Sequence, residues 1–375
     1  MSTLRTDTLI LGGGITGLAT ASFLGDADCL VIERDAQCGG YCKTTLRNGF
    51  VWDYSGHFFH FRHPDIKDYV MAHMACEVLE VQKITDIDYR GRIIDFPFQY
   101  NIDQLEKADF IACLLDLYQA KTSDPQNFKE YVKSSMGAAI ADRFLIPYNE
   151  KLYATDLNHL DADAMRRFFP PPLRFDQMME RLARKQAYVS YNDHFIYPVG
   201  GSIEFVRSLM KRVHHGKIRT QTTLVGLDLE QKVAYTDTGR IAFSRLVTTL
   251  PFDQLLRLTG EEPTEFTSNQ VAVFNLGFDR PTAIRSHWRY YPGPEVFYRV
   301  GFYNNILNAD RMSLYVEIGA RSDAALDEKV LLNNVLRDLR GAGVIEDHQL
   351  VDHQFLVMNP AYVHITRASE TRYPS

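Results

Sequence analysis

The stretch DTLILGGGITGLATASFLGDADCLVIE, from Asp7 to Glu33, decides the fold. It begins with a short apolar strand that leads into a glycine-rich turn. A helix from Leu18 to Leu24 follows, and the second apolar strand, CLVIE, ends in an acidic residue. This order of elements predicts a βαβ unit in an α/β protein with a parallel sheet.

The turn carries Gly12, Gly14 and Gly17 in the spacing G-x-G-x-x-G. The first glycine permits the tight turn, the second lets the backbone approach a pyrophosphate, and the third allows helix and strand to pack closely. The phosphate would lie at the helix N-terminus, and Glu33 would accept a hydrogen bond from a ribose hydroxyl. Because strand, glycines, helix, strand and acid occur in order, we predict dinucleotide binding over an ordinary βαβ turn.

The residues after Glu33, RDAQCGGYCKTT, favour FAD over NAD. They resemble the flavoprotein pattern in which a glycine pair and a basic residue follow the second strand. Gly39 and Gly40 would bring backbone N–H groups near the flavin or its phosphates. Cys38 and Cys42 bracket the pair, and a redox or metal role for them is the weaker interpretation because the C-x3-C spacing alone is not specific.

Composition excludes several classes of protein. The 375 residues are 45% hydrophobic, enough for a large core, and the formal net charge of -6 argues against a nucleic-acid partner. Five cysteines are too few and odd in number for a disulfide framework. Since the N-terminal apolar run is short and no stretch of about 18 apolar residues occurs, we expect no signal peptide, no membrane span and a cytoplasmic protein.

The segment WDYSGHFFHF places His57 and His60 three residues apart. A metal site would need further ligands, and none is evident, so no metal is predicted and two hydrogen-bonded core histidines are the plain alternative. SGHFFH is similar to the H-x-F-H stretch of UDP-galactopyranose mutases, flavoenzymes in which this segment lies against the isoalloxazine. The resemblance implies that His57 or His60 lies by the N5 or O4 edge of the flavin.

The resemblance continues in order from about residue 7 to residue 320. It includes the hairpin and Pro-Phe-Gln segment DYRGRIIDFPFQYNI, the run IPYNEKLYATDLNHLDADAMRRFFP, the segment YNDHFIYPVGGSIEFVRSLM and the strand EVFYRVGFYNN. The positions of this chain that correspond to the family's substrate-site positions are Gln99, Asn101, Tyr148, Tyr153, Arg167, Phe195 and Arg299.

The family carries out a redox-neutral reaction, so the resemblance implies an isomerase. Reduced FAD attacks the anomeric carbon of a nucleotide-diphosphate sugar through N5, and the sugar recloses between pyranose and furanose forms. The resemblance further implies NAD(P)H or another reductant to prime the flavin, a homodimer, and a place in cell-surface polysaccharide biosynthesis.

The same resemblance assigns roles to four residues. Arg167 and Arg299 would grip the diphosphate, because a planar guanidinium pairs bidentately with phosphate oxygens. Tyr148 would donate to a phosphate oxygen, and Tyr153 would line the nucleotide or sugar pocket. The plain alternatives are a solvated helical arginine at Arg167 and core aromatics at the tyrosines, while Arg289 is a weaker rival as a phosphate ligand.

Two kinds of departure from the family matter. The family often has tryptophan at the position of Tyr153, and bacterial members have a uracil-stacking tyrosine where this chain has Phe195. The base and the sugar are therefore open. No late glycine-aromatic flavin segment follows VMNPAYVHITRASETRYPS, which is compatible with a truncated chain, loose FAD binding or lost turnover.

We expect a Rossmann-like FAD-binding domain with an inserted helical domain and an antiparallel sheet domain. The expected segments are 1–85 for the first part of the FAD domain, 86–103 for a hairpin of the sheet domain, 104–190 for the helical substrate domain, 191–258 for the return to the FAD domain, 259–340 for the sheet domain, and 341–375 for a shortened C-terminal part.

Two rival functions share the N-terminal motif. One is a FAD-dependent oxidoreductase of the amine oxidase or protoporphyrinogen oxidase type, for which two diphosphate-gripping arginines would be superfluous. The other is a binding or scaffold protein that keeps FAD only as a structural group.

Overall fold

A computed structural model describes residues 3–120, 124–164, 174–184 and 193–372 of the chain. Within these residues the strands are β1 (Thr3–Leu11), β2 (Cys29–Ile32), β3 (Thr44–Arg47), β4 (Phe50–Asp53), β5 (Val78–Gln82), β6 (Thr85–Tyr89), β7 (Arg92–Asp95), β8 (His194–Pro198), β9 (Ile218–Arg219), β10 (Leu224–Asp228), β11 (Val233–Thr236), β12 (Gly239–Thr248), β13 (Thr267–Phe278), β14 (Trp288–Tyr290), β15 (Arg299–Phe302), β16 (Ser313–Arg321), β17 (Leu350–Met358) and β18 (Val363–His364).

The helices of the same residues are α1 (Ile15–Leu24), α2 (Pro64–Met71), α3 (Lys107–Gln119), α4 (Phe128–Met136), α5 (Ala138–Ile140), α6 (Ile146–Tyr153), α7 (Phe175–Arg184), α8 (Ile203–Met210), α9 (Phe252–Leu258), α10 (Tyr303–Leu307), α11 (Glu328–Gly341) and α12 (Arg367–Arg372). A π-helical turn, Ala141–Leu145, joins α5 to α6. None of these helices has both the length and the apolar character needed to cross a membrane.

The chain divides into two compact units, each built from two separate segments. Unit 1 comprises Met1–Val81 and Phe195–Thr264, and unit 2 comprises Gln82–His194 and Glu265–Ser375. These boundaries lie a few residues from the expected ones near 85, 190 and 258. The hairpin, helical, sheet and C-terminal segments, which the sequence suggests as separate pieces, all fall in unit 2.

Unit 1 is built on a six-stranded sheet in the order β10-β11-β12-β1-β2-β9. The strands β12, β1, β2 and β9 run parallel, and β10 and β11 extend the sheet as antiparallel neighbours. The stretch RLVTTLP, expected to return to the nucleotide-binding sheet, forms the end of β12 and pairs with β1. The predicted Rossmann-like α/β fold is therefore confirmed.

Both faces of the central strand β1 are buried. Leu9 and Leu11 belong to one core cluster of unit 1, whereas Ile10 packs in another with Val31 and with Ala21 of α1. A strand that is covered on both faces needs no polar alternation, which explains the uninterrupted apolar run that the sequence shows.

Unit 2 contains an eight-stranded sheet that is mostly antiparallel. Its order is β17-β13-β16-β15-β14-β6-β7, with β18 paired to β13, and only the β14–β6 pair among these described strands is parallel. The helix α11 contributes Val335 and Leu339 to the core on one face, where Phe274 and Val316 of the sheet also lie. The helix α6 packs against β16, which brings helical and sheet residues of unit 2 together.

A buried carboxylate ties the hairpin β3–β4 of unit 1 to the Pro-x-Gly-Gly turn after β8. Asp53 is fully buried and accepts hydrogen bonds from the Thr44 hydroxyl at 2.5 Å, the Tyr197 hydroxyl at 2.8 Å and the Ser202 backbone N–H at 3.1 Å. Burial raises the pKa of Asp53 to about 6, although these hydrogen bonds oppose the shift.

This pKa predicts a pH-dependent contribution to stability. Because folded Asp53 keeps its proton up to about pH 6 and the unfolded carboxyl loses it near pH 4, folding binds a proton between these values. The stability from Asp53 is therefore complete below pH 4 and is lost as pH rises to about 6.

We expect the difference in unfolding free energy between the wild type and Asp53→Asn to fall by about 3 kcal/mol from pH 4 to pH 7, at about 1.4 kcal/mol for each unit of pKa shift. Urea denaturation of both proteins across this range measures the difference. A difference that stays constant, or that increases with pH, would show that the Asp53 pKa is not raised.

Candidate functional site

The glycine turn of unit 1 leaves the N-terminus of α1 open. Gly12 has φ +102°, which disfavours any side chain, and a Cβ on Gly17 would lie 2.0 Å from the Gly12 carbonyl oxygen. Gly14 caps α1, and a Cβ added to it would meet no atom within 4 Å. The free backbone N–H groups of the first helical turn therefore border open space, where an anionic group would be stabilised.

Glu33 lies beside this turn, directly after β2. Its side chain is buried and accepts hydrogen bonds from the backbone N–H groups of Gly13 at 2.8 Å and Asp35 at 2.9 Å. A carboxylate has about four acceptor positions, so Glu33 keeps the capacity to accept from a ribose hydroxyl as well. The turn, the helix N-terminus and the acid together fit a dinucleotide.

The predicted glycine pair packs onto the same turn. The Gly39 N–H donates to the Gly13 carbonyl at 2.8 Å, and a Cβ on Gly40 would lie 3.6 Å from the Gly14 Cα. The pair thus lies where backbone N–H groups could approach a bound phosphate or flavin. Lys43, which the sequence offers as the basic residue after the pair, is buried and ion-paired with Asp35.

The two cysteines near the glycine pair do not behave as a redox or metal pair. Burial raises the pKa of Cys38 to about 11 and that of Cys42 to about 12, so both thiols stay protonated at neutral pH. All five cysteines are free, and the described residues contain no cluster of side chains able to hold a metal ion.

The histidines His57 and His60 lie in unit 1, in the segment that follows β4. His57 is partly buried, and His60 is exposed, with its ring 6.2 Å from that of Phe195. Phe195, expected to contact substrate, is 1% exposed and packs on Phe58 at 4.7 Å in the interior of unit 1. Its surroundings are those of a core aromatic.

In unit 2, Arg299 of β15 forms an ion pair with Glu317, which is opposite it on β16. The Arg299 Nε donates to Glu317 Oε2 at 2.5 Å, and Nη2 donates to Oε1 at 2.7 Å. The Glu317 side chain is 1% exposed, whereas 20% of the Arg299 side chain reaches the surface. The Glu317 carboxylate is therefore shielded from solvent, whereas a fifth of the Arg299 side chain remains exposed.

Five tyrosines, which we call the tyrosine cluster, surround this ion pair. They are Tyr148, Tyr290, Tyr298, Tyr315 and Tyr362. The Arg299 Cζ lies 5.9 Å from the ring centroid of Tyr298 and 6.0 Å from that of Tyr315. The Tyr148 ring meets those of Tyr290 at 5.2 Å and Tyr298 at 6.0 Å, edge to face.

Burial raises the pKa of every phenol in the tyrosine cluster, and the Arg299 charge opposes that shift in each of them. The phenols are therefore protonated at neutral pH and keep their O–H donors. Tyr148, Tyr290 and Tyr362 are only partly buried, so the cluster has an accessible side. Phenol donors beside the partly exposed Arg299 side chain suit an anionic, oxygen-rich ligand.

Tyr153 lies next to Tyr362, on the buried side of the tyrosine cluster. Its ring is 6% exposed and lies 5.7 Å from that of Tyr362 and 6.1 Å from that of His364. Tyr153 therefore supports the tyrosine cluster from the interior of unit 2.

The Pro-Phe-Gln segment borders the tyrosine cluster through its aromatic residues. Phe96 packs on Tyr290 at 4.9 Å, and Phe98 stacks on Phe144, which stacks on Tyr148. Gln99 is 2% exposed, and its amide nitrogen has no hydrogen-bond partner among the residues that the structure describes.

Asn101, by contrast, uses its side chain within the protein. Its amide nitrogen donates to the carbonyls of Asp95 and Pro97, and its oxygen accepts from Arg181 at 2.6 Å. These bonds give Asn101 a structural role in holding the segment, and the substrate contact expected from the sequence stays a prediction.

Arg167 and Arg289 are the two other arginines that the sequence offers as phosphate ligands. Arg167 lies outside the described residues, so its role remains a proposal. Arg289 forms a bidentate pair with Asp86 at 2.6 and 3.0 Å, and both side chains are largely buried. The Arg289 pair joins β14 to β6, which gives that arginine a structural partner.

Sequence reasoning missed Glu317 and four of the tyrosines in the cluster. Tyr290 and Tyr298 lie in an aromatic-rich stretch that resembles ordinary sheet core. The strand SLYVEIG held a usable signal, because Tyr315 and Glu317 are two residues apart and share one face, where an acid in an apolar strand requires a partner.

A separate depression of about 910 Å³ in unit 2 shares no residue with the tyrosine cluster. Its lining includes Arg285 and the amides of Asn304 and Asn305. Asn305 donates to the carbonyls of Ile284 and Ser286, and Asn304 donates to the Asn305 oxygen. These amide donors are engaged internally, so the depression offers a less complete site than the tyrosine cluster.

Comparison with known proteins agrees with the fold described above. Residues 10–72 match the model of the NAD(P)-binding Rossmann-like domain family. The chain is also similar to protoporphyrinogen oxidase 1, chloroplastic, of Arabidopsis thaliana, with 26% identity over 182 residues. That match covers 44% of this chain and 33%, about a third, of the relative's own length.

Three solved structures share the fold over nearly the whole chain. Reduced UDP-galactopyranose mutase has a TM-score of 0.91 at 22% identity, covering 98% of this chain and 86% of that one. A putative protoporphyrinogen oxidase from Exiguobacterium sp. 255-15 has a TM-score of 0.76 at 17% identity, covering 100% and 93%. A putrescine oxidase variant has a TM-score of 0.67 at 15% identity, covering 99% and 90%. The chain therefore has the fold of UDP-galactopyranose mutase, and the resemblance seen in its sequence is confirmed at the level of the fold.

Proposed function

We propose that the protein is a FAD-dependent isomerase that interconverts pyranose and furanose forms of a nucleotide-diphosphate sugar. The observation that carries this proposal is the partly exposed Arg299 side chain within a cluster of five protonated phenols. An oxygen-rich anion can accept hydrogen bonds from such donors, which an apolar substrate cannot. The fold, shared with UDP-galactopyranose mutase, supports the same choice.

FAD would bind at the glycine turn of unit 1. The first turn of α1, opened by Gly14, would hold the pyrophosphate, and Glu33 would accept from the adenosine ribose. When bound and reduced, FAD supplies a nucleophilic nitrogen for attack on the anomeric carbon. His57 or His60 remains our proposal for the residue near the flavin edge.

The sugar nucleotide would bind at the tyrosine cluster of unit 2. The N–H groups of Arg299 that Glu317 does not occupy would donate to diphosphate oxygens, together with the hydroxyls of Tyr148 and Tyr362. As the sugar–diphosphate bond breaks, negative charge accumulates on the leaving diphosphate, and these preorganised donors stabilise it. Arg167 and Gln99 are proposed as further ligands of the substrate.

The oxidoreductase alternative rests on the folds of protoporphyrinogen oxidase and putrescine oxidase, which the chain also shares. An enzyme of that type would transfer electrons from its substrate, so oxygen or another acceptor would be consumed with each product. A scaffold protein would bind FAD and change neither substrate nor acceptor.

The discriminating experiment supplies the reduced holoprotein with UDP-galactofuranose and, separately, with other furanose and pyranose sugar nucleotides. Products are resolved by chromatography and weighed by mass spectrometry, while oxygen uptake is recorded in parallel. We expect an isomer of unchanged mass from at least one donor, formed only with reduced flavin. Oxidised product with matching oxygen uptake would support the oxidase alternative instead.

A further inference from the structure

We propose that Glu317 sets both the orientation and the effective charge of Arg299, and thereby the affinity of the tyrosine cluster for the diphosphate of its ligand. This inference rests on the proposed function and deepens it, because it names a positioning residue that acts through the arginine. Glu317 itself would touch no substrate atom.

The orientation of the Arg299 guanidinium follows from its two hydrogen bonds to Glu317. Nε and Nη2 of Arg299 both donate to the Glu317 carboxylate, so one edge of the guanidinium is occupied. The Nη1 group and the outer Nη2 hydrogen lie on the remaining edges of a rigid plane. The two residues are paired in register on β15 and β16, so the sheet itself holds this arrangement. Tyr362 also hydrogen-bonds the guanidinium, so an anion must approach from the edges that Glu317 leaves available and must share them with this phenol.

The effective charge of Arg299 follows from the burial of its ion pair with Glu317. A carboxylate that is 1% exposed and within 2.7 Å of the guanidinium is poorly screened by water, so the pair is close to neutral from the viewpoint of a ligand. Burial alone would lower the pKa of Arg299, but the neighbouring Glu317 holds that pKa well above its usual range, so the guanidinium is ionised. The phenol O–H dipoles, rather than a net positive charge, then supply much of the attraction for the diphosphate.

A reduced effective charge on Arg299 suits the proposed reaction. The diphosphate must separate from the sugar and later return to it, and a guanidinium without a counter-charge would hold the free diphosphate too tightly. The unequal exposure of the partners supports this role, since 20% of the Arg299 side chain is accessible and only 1% of the Glu317 side chain is.

The same sheet contains a matched control. Arg289 and Asp86 form an equally bidentate pair on β14 and β6, yet their side chains are 9% and 13% exposed, so neither partner is open in the manner of Arg299. Neutralising Glu317 or Asp86 removes one buried ion pair of unit 2 in either case. Only Glu317→Gln changes the charge next to Arg299, the arginine of the tyrosine cluster.

The test uses the full-length holoprotein with Glu317→Gln, Glu317→Asp and Asp86→Asn. UDP binding is measured by titration calorimetry, which requires no turnover, and kcat and KM are then measured with the active sugar nucleotide. We expect Glu317→Gln to bind UDP about tenfold more tightly, with kcat lowered at least about tenfold and KM lowered as well. Glu317→Asp, which keeps the charge, should restore wild-type UDP affinity, and Asp86→Asn should leave that affinity within about twofold.

The possible results separate the two claims. If the wild type binds UDP and Glu317→Gln binds it equally or more weakly, the charge-setting role of Glu317 is overturned while the proposed function stands. Equal changes in UDP affinity for Glu317→Gln and Asp86→Asn would also overturn it, because a general loss of stability would explain both. If the wild type neither binds UDP nor forms an isomer, the proposed function falls and this inference with it.

Discussion

Replacing Arg299 with alanine is expected to lower the free energy of unfolding by about 3–5 kcal/mol and to abolish isomerisation. The loss of stability arises because Glu317, at 1% exposure, loses the guanidinium that compensates its burial. The loss of activity arises because the diphosphate loses its charged donor. Urea denaturation measures the first effect, and chromatography of the sugar-nucleotide products measures the second.

A double variant separates these two effects. Arg299→Met with Glu317→Leu removes both charges and fills the space with apolar side chains, and such replacements of buried ion pairs are often neutral for stability. We expect the double variant to recover most of the unfolding free energy and none of the activity. A single Arg299→Ala variant that loses less than about 1 kcal/mol would contradict the buried, poorly solvated pairing on which the site depends.

The second large effect is expected at the glycine turn. Gly14→Val should leave the fold intact, because Gly14 has an extended backbone with φ -74° and no atom lies within 4 Å of an added Cβ. The new side chain would occupy the open space at the N-terminus of α1, so FAD affinity should fall about 100-fold or more. Flavin retention on gel filtration measures binding, and thermal unfolding followed by circular dichroism verifies the fold.

Gly17→Ala is the matched control for this variant. Its Cβ would lie 2.0 Å from the Gly12 carbonyl oxygen, so it should destabilise unit 1 itself rather than only the cofactor site. A Gly14→Val protein that retains wild-type flavin content would contradict the placement of the pyrophosphate at this turn.

The nucleotide-binding half of the account was predictable because its signals are local. The apolar run before Gly12, the glycine spacing and the acid at Glu33 lie within one βαβ unit, and each has a physical role that the neighbouring residues fix. The return of RLVTTLP to β1 was predictable for a similar reason, since a buried parallel strand has a recognisable apolar pattern.

The tyrosine cluster was only partly predictable because its members come from distant parts of the chain. Tyr148 lies on α6, Tyr290 and Tyr298 flank the turn between β14 and β15, and Tyr362 follows β17. Only the register of β15 on β16 places Glu317 opposite Arg299, and a sequence does not reveal the register of strands separated by a helix.

Resemblance gave no sign of the internal bonds of Asn101, and it did not point to Tyr362. Asn101 matches a polar position of the family, yet its amide holds the backbone of its own segment and Arg181. Tyr362 lies in the C-terminal stretch, in which the sequence offered no late flavin segment, but it joins the tyrosine cluster beside Arg299. The resemblance therefore located the segments, and the structure supplied the contacts of the single residues within them.

The central claim is that the chemistry is redox-neutral although the cofactor must be reduced. The most direct test reduces the holoprotein with a measured, limiting amount of dithionite under anaerobic conditions and follows the interconversion of UDP-galactofuranose and UDP-galactopyranose by chromatography. We expect many isomers to form for each flavin reduced, with no isomer from the oxidised protein. One product for each reducing equivalent, or equal turnover by the oxidised protein, would contradict it.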